Sequence, residues 1–168
     1  MARRTVVWLI PILLTVHNVE EAFAFQVYMP RMRTLLPEPL ASVEASLSYS
    51  TMLAALTVVS AVAFLVALAA VARPTSRGTL WTLLVLEATV GVNVITHLLS
   101  AVIVFHGYGP GLATALMINA PFAIYCFRRV RREQWVSAAA LRAILPASLI
   151  LHGPILLGGL WLAGRASR

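Results

Sequence analysis

The sequence predicts an all-α fold, an integral membrane helical bundle of about five transmembrane helices forming a single domain over residues 1–168. Three observations predict it. Of the 168 residues 60% are hydrophobic and only 11% are charged, a balance outside the range of soluble domains. Five apolar runs, at 6–28, 49–71, 80–105, 112–127 and 144–163, approach or exceed the roughly 20 helical residues that cross a hydrocarbon core of about 30 Å. Every basic residue is Arg, and the arginines collect at the ends of these runs.

The first run follows Arg3-Arg4 and leads to Ala22-Phe23-Ala24, which together imitate a secretory leader and its cleavage site. Glu20 and Glu21 beside that site argue against cleavage. The segment 30–48 is a connector in which Pro30, Pro37 and Pro39 are expected to break any continuous helix. Its leucines interleave with Arg31, Arg33, Glu38 and Glu44, a pattern that suits a lid along the interface as well as a plain link. The second run is rich in alanine, including Ala63, Ala67 and Ala70, and reads as scaffold because small residues let backbones approach in lipid. The fourth is short and carries Asn119 and Pro121. In the fifth, Gly159 and Ala163 have small-xxx-small spacing, which serves intrachain packing or a homo-oligomer contact.

The formal charge of +7 does not point to nucleic acid, because arginine at helix ends reports orientation. With five spans, one face carries Arg3, Arg4, Arg73, Arg77, Arg128, Arg129, Arg131, Arg132 and Arg142, and the other Arg31, Arg33, Arg165 and Arg168. Nine against four places the N-terminus in the cytoplasm and the C-terminus outside, in a multi-pass protein of the cell (inner) membrane. The run 128–132 then meets anionic membrane lipids. The single Cys126 excludes an internal disulfide and a cysteine-rich metal cluster.

Polar residues inside the runs carry the chemistry. His17, Glu20 and Glu21 fall on one stripe of the first helix, and each ionisable group at a bilayer centre costs roughly 2.5–3.5 kcal/mol on insertion scales. Asn93 and His97, four apart, stack on the third. Counting helical rise puts Glu20 and Glu21 roughly 21–23 Å above Val6 and His97 about 25 Å above Leu80, so both sets lie in the outer half. The loop 106–111 turns the chain at the same level, with Tyr108 and Thr114 at the mouth. Glu87 lies roughly 15 Å below His97. His152, counted from residue 144, falls near that depth, so the two are expected partners or singly satisfied groups.

His17-x-x-Glu20-Glu21, Asn93-x-x-x-His97 and Tyr108-x-Pro110-Gly111-x-x-Thr114 match in order the three signatures of the HxxEE family of small bacterial integral membrane proteins, which the whole chain resembles. The resemblance implies an integral membrane domain with its marked positions at those residues, and it supplies no reaction.

His17, Glu20, Glu21 and His97 are therefore read from their own chemistry as the catalytic candidates. Two imidazoles and one or two carboxylates suit zinc or iron; the same groups without metal suit acid–base catalysis, with one Glu protonated and a His as base. A polar network that merely pins two helices is the plain alternative. Asn93, Tyr108 and Thr114 are the substrate-binding candidates. The leading expectation is a membrane-embedded enzyme, hydrolase-like, acting on a hydrophobic or lipid-like small molecule. A small proton- or cation-coupled transporter and a non-catalytic subunit binding lipid or a partner helix are the alternatives.

Overall fold

The structure, a computed structural model, describes residues 1–35, 38, 40–45 and 47–166. The chain forms α1 (Arg3–Leu35), α2 (Leu40–Ala45), α3 (Tyr49–Ala72), α4 (Arg77–Ile103) and α5 (Leu112–Thr114). A π-turn (Ala115–Asn119) joins α5 to α6 (Ala120–Arg132), and a second (Leu151–Ile155) joins α7 (Ala138–Ile150) to α8 (Leu156–Ala166). Four stretches are long and apolar enough to cross a membrane: Arg3–Met32, Tyr49–Ala72, Arg77–Ile103 and Ala138–Arg165.

Three helices start on a serine whose hydroxyl accepts from a backbone N–H three residues on: Ser48 from Thr51, Ser76 from Thr79 and Ser137 from Ala140. Each such cap is worth about 1 kcal/mol. The cap at Ser137 moves the start of the last membrane-length helix six residues ahead of the expected position 144. Ala138, Ala139 and Ala140 are strong helix formers, and Arg142 is carried within the helix.

Pro30 does not end α1. The helix runs through it to Leu35, and beyond it the Arg31 guanidinium donates to the Phe105 carbonyl at 3.4 Å. Neighbouring groups that re-satisfy the backbone make proline tolerable in such helices. Pro37 and Pro39 lie outside the described residues. Pro154 lies within the second π-turn and Pro121 two residues past the end of the first, and the wider turn makes room for a ring that clashes with an α-helical carbonyl.

α1 packs chiefly on α3, and α4 on α7 and α3. Ala63, Ala67 and Ala70 are buried in α3, the close approach that small residues allow. Asn18 also ties α1 to α3, its amide donating to Ser60 Oγ at 2.9 Å and to the Leu56 carbonyl at 3.2 Å. A main core of Val6, Ile10, Leu83, Leu84, Cys126, Val130 and Ile144 fills the end of the molecule that holds the N-terminus. No atom lies within 4 Å of a Cβ built on Gly159, so its spacing with Ala163 does not serve close intrachain packing at that glycine.

That same end is the arginine-rich one. Trp135 lies under the Arg3 guanidinium, 4.8 Å from ring centroid to Cζ, and its indole donates to Glu133 at 2.9 Å. Arg129 donates to the other Glu133 oxygen at 2.8 Å. The bonds from Trp135 and then Arg129 hold the exposed Glu133 carboxyl down at about 2.

Candidate functional site

At the opposite end, α1, α4 and the chain from Tyr108 to Thr114 converge on His17, which is completely buried. The two adjacent glutamates of α1 meet different fates there. Glu20 accepts four hydrogen bonds, from the Tyr108 hydroxyl, from the Ala113 and Thr114 backbone N–H groups at 3.1 and 2.7 Å, and from the Thr114 hydroxyl at 2.5 Å. All four partners are donors, so Glu20 acts as an ionised acceptor. Desolvation and the bond to Glu20 raise the Tyr108 phenol to about 12, which keeps it a donor at neutral pH.

This saturation fixes His17. Thr114 has one hydroxyl hydrogen, and it goes to Glu20. Thr114 Oγ1 is also 2.8 Å from His17 Nδ1, so it must accept there, and the His17 proton sits on Nδ1. Nε2 is left as an acceptor, and the Asn93 amide Nδ2, 3.0 Å away, donates to it. The relay Glu20, Thr114, His17 resembles the carboxylate support that sets the tautomer of metal-binding histidines, with a threonine interposed.

Glu21 and His97 face the side of His17 that bears Nε2. His97 Nε2 is 3.2 Å from His17 Nε2 and 3.3 Å from Glu21 Oε1, and His17 Nε2 is 3.9 Å from the same oxygen. Among the described residues one group of His, Cys, Asp and Glu brings at least three ligand atoms together, and it is His17, Glu21 and His97. Ligands about 2.0–2.1 Å from a tetrahedral zinc stand roughly 3.3 Å apart, so two of the three separations fit a three-residue zinc face, while His17 and Glu21 at 3.9 Å would have to close up and the Asn93 amide to leave His17 Nε2. Side-chain exposures of 1% for His17 and 12% for both Glu21 and His97 leave the partners, not His17, facing open space.

Gly111 explains the turn signature. Its φ is +76°, a left-handed conformation, and a Cβ there would stand 2.6 Å from His97, 2.8 Å from His17 and 2.9 Å from Glu21. Only a hydrogen fits against all three side chains. Gly109 is pressed as closely on the Phe105 ring, 2.6 Å from a built Cβ, so the loop backbone forms the wall of the site.

On the other side of the Asn93 amide, the single hydroxyl hydrogen of Thr96 is shared between the Asn93 backbone carbonyl at 2.8 Å and Asn93 Oδ1 at 3.1 Å. The sequence reading missed Thr96 and His152, whose Nε2 is 3.4 Å from the Thr96 hydroxyl. The helical spacing of Asn93, Thr96, His97 and Ser100 is the signal that marks Thr96. His152 does not pair with Glu87. With the helix starting at Ala138, His152 stands about 21 Å from its N-terminal end, rather than the roughly 12 Å counted from residue 144, and so reaches the level of Thr96. Glu87 is buried in α4 and makes no hydrogen bond or ion pair among the described residues. Asn119, in the first π-turn, is likewise buried with both amide atoms unpartnered among the described residues.

A family model described as a protein of unknown function with HXXEE motif matches residues 8–126, about seven tenths of the chain and a span that includes all three signatures but not α7 and α8. Comparison with curated proteins and with solved structures finds no match.

Proposed function

The chain belongs to the family of proteins with the HXXEE motif, and from that premise we propose that its signatures build a metal-dependent hydrolytic centre, embedded in the membrane and acting on a hydrophobic or lipid-like small molecule. The observation that carries this reading is the set of separations between His17 Nε2, His97 Nε2 and Glu21 Oε1.

In this reading His17, His97 and Glu21 hold a zinc ion. Glu20, acting through Thr114, keeps His17 in the ligating tautomer, and Tyr108 ties the loop to Glu20. Asn93 stands beside the ligand set; its amide nitrogen, which bonds His17 Nε2 here, would release that atom to the zinc and could then bond a carbonyl oxygen of the substrate. A bound zinc supplies a Lewis acid that activates water near neutral pH. Hydrolysis adds that water across an ester or amide bond and yields a carboxylic acid with an alcohol or amine. Zinc is preferred over iron because the reaction transfers no electrons.

The topology proposed with it has five crossings, residues 112–132 supplying the one that the π-turn interrupts. The nine-to-four arginine asymmetry supports a cytoplasmic N-terminus in the cell membrane, with the centre in the outer half.

Metal analysis of the purified full chain tests the centre. Near-stoichiometric zinc, lost in the His17→Ala, His97→Ala double variant, is the expected result. Trace metal in the unmodified protein overturns it, and stoichiometric iron replaces zinc with a redox-capable metal on the same ligands.

A further inference from the structure

α6 and α7 follow one another in the chain, yet they barely touch, and each packs instead on α4. The five residues 133–137 that join them explain the gap. At the end of α6 the Trp135 N–H reaches back to the Val130 carbonyl at 3.2 Å, which places Gln134 in the left-handed region at φ +50° and turns the chain aside. Ser137 then starts α7 afresh. Between the two helix ends and Arg77, the first residue of α4, lies a cavity of 510 Å³, within the roughly 300–1,000 Å³ of sites that hold small ligands.

Positive groups line this cavity with nothing to bond. Arg77 and Arg131 both border it, and among the described residues neither has a hydrogen-bond or ion-pair partner. Glu133, the acidic residue of the link, is already taken by Arg129, Arg132 and Trp135. Ser137 satisfies the Ala140 N–H with its hydroxyl and the Leu141 N–H with its carbonyl. The N–H groups of Ala138 and Ala139 are left open at the positive end of a 13-residue helix. Trp135 is buried, its indole bonded to Glu133 at 2.9 Å and stacked under Arg3, and gives the cavity a firm wall. Two guanidinium groups and a helix N-terminus suit an anion with several acceptor oxygens.

The apolar part of the lining shows what carries that anion. Val136 and Leu141 border the same cavity as the arginines. From Leu141 the stripe continues one and two turns along α7 to Leu145 and Leu149, which are 58% and 50% exposed. A phosphate free in water has no use for such a track, whereas a phosphate attached to acyl chains does. The arginine-rich end of the apolar helices is also the level at which anionic headgroups lie.

We propose that the cavity holds the phosphodiester headgroup of one anionic phospholipid, bonded by Arg77 and Arg131, with an acyl chain along Leu145 and Leu149. The lipid fills the gap between α6 and α7 and stabilises the bundle as it binds. The site stands at the opposite end of the molecule from His17 and does not depend on the zinc reading.

The test measures saturable binding of dioleoyl phosphatidylglycerol, dioleoyl phosphatidylcholine and inorganic phosphate to the delipidated full chain in detergent. Melting temperature and helicity are recorded on the same samples. Phosphatidylglycerol is expected to bind at one per chain, about tenfold or more tighter than phosphatidylcholine, and to raise the melting temperature. The Arg77→Gln, Arg131→Gln double variant lowers that affinity by about tenfold or more and loses the rise. The Arg4→Gln, Arg128→Gln double variant removes the same charge from the same end outside the cavity, and its affinity stays near that of the unmodified protein. Unchanged helicity in both shows that they fold. Equal losses in the two double variants overturn the site, because charge alone then attracts the lipid. Equal affinity for the two lipids overturns it as well, as does the absence of saturable binding. Saturable binding of inorganic phosphate that excludes phosphatidylglycerol assigns the cavity to a soluble anion and overturns the lipid.

Discussion

The two ends of the molecule use charge in opposite ways. At the arginine-rich end, Arg129, Glu133 and Trp135 lie within six positions of one another in the chain and satisfy one another at the surface, with Arg3 stacked on the indole. At the other end the polar groups come from α1, α4 and the turn beyond α4, and His17 and Thr114 meet across 97 residues of chain. The first cluster consumes its bonding capacity. The second brings two imidazoles and a carboxylate within 3.9 Å of one another, with the Asn93 amide on His17. Local pairing of this kind fastens a turn, whereas long-range convergence of two imidazoles and a carboxylate is an arrangement that a ligand can use.

Gly111→Ala is the hardest blow to the second cluster. It puts a methyl group within 3 Å of all three ligand side chains in a left-handed conformation that costs an L-residue roughly 1–2 kcal/mol. Zinc affinity is expected to fall by more than about a hundredfold, as the three ligands are forced apart. Calorimetric titration with zinc reads this directly, and wild-type affinity in Gly111→Ala would show that the loop does not press on the centre.

A subtler change separates support from ligation. Thr114→Val keeps the shape but removes the hydroxyl that accepts from His17 and donates to Glu20, so the Nδ1 tautomer loses its anchor. The expected loss in zinc affinity is about 10–100-fold, the range seen when partners of metal ligands are removed. An unchanged affinity would mean that the histidine is held by its packing alone.

The smallest effect belongs to the arginine-rich end. Glu133→Gln is expected to leave metal content untouched and to lower thermal stability slightly at neutral pH. Because the folded carboxyl is depressed to about 2, its contribution is fully present above the ordinary carboxylate range and is lost as pH falls through about 2. Melting curves of the two proteins should therefore converge in strong acid. A difference that persists there would assign the effect to packing.

Much of this contrast was legible in the sequence. Hydropathy located four membrane-length helices, together with the run 112–127 that is not among them, and counting rise placed Glu20, Glu21 and His97 near one level, where the structure holds His97 Nε2 3.3 Å from Glu21. The distinction between Glu20 and Glu21 was not legible, because it depends on where the Thr114 and Ala113 amides point once Gly111 has turned the chain. Stripe geometry treats adjacent carboxylates alike. His152 was misplaced for a different reason: a hydropathy window discounts the stretch around Arg142, whereas Ser137 starts the helix there through a single backbone bond. The π-turns at Pro121 and Pro154 have no periodic signature, since one widened turn shifts every later residue by about 100° without altering composition.

The amides that bond Glu20 lie 93 and 94 residues downstream of it. At about 5–20 residues per second of synthesis, roughly 5–20 s separate the emergence of the carboxylate from that of its donors. In the proposed topology α1 enters the bilayer first and holds Glu20 and Glu21 there without partners, so biogenesis includes an interval in which the first helix must be sheltered by the insertion machinery or wait at the interface until the Tyr108 turn arrives.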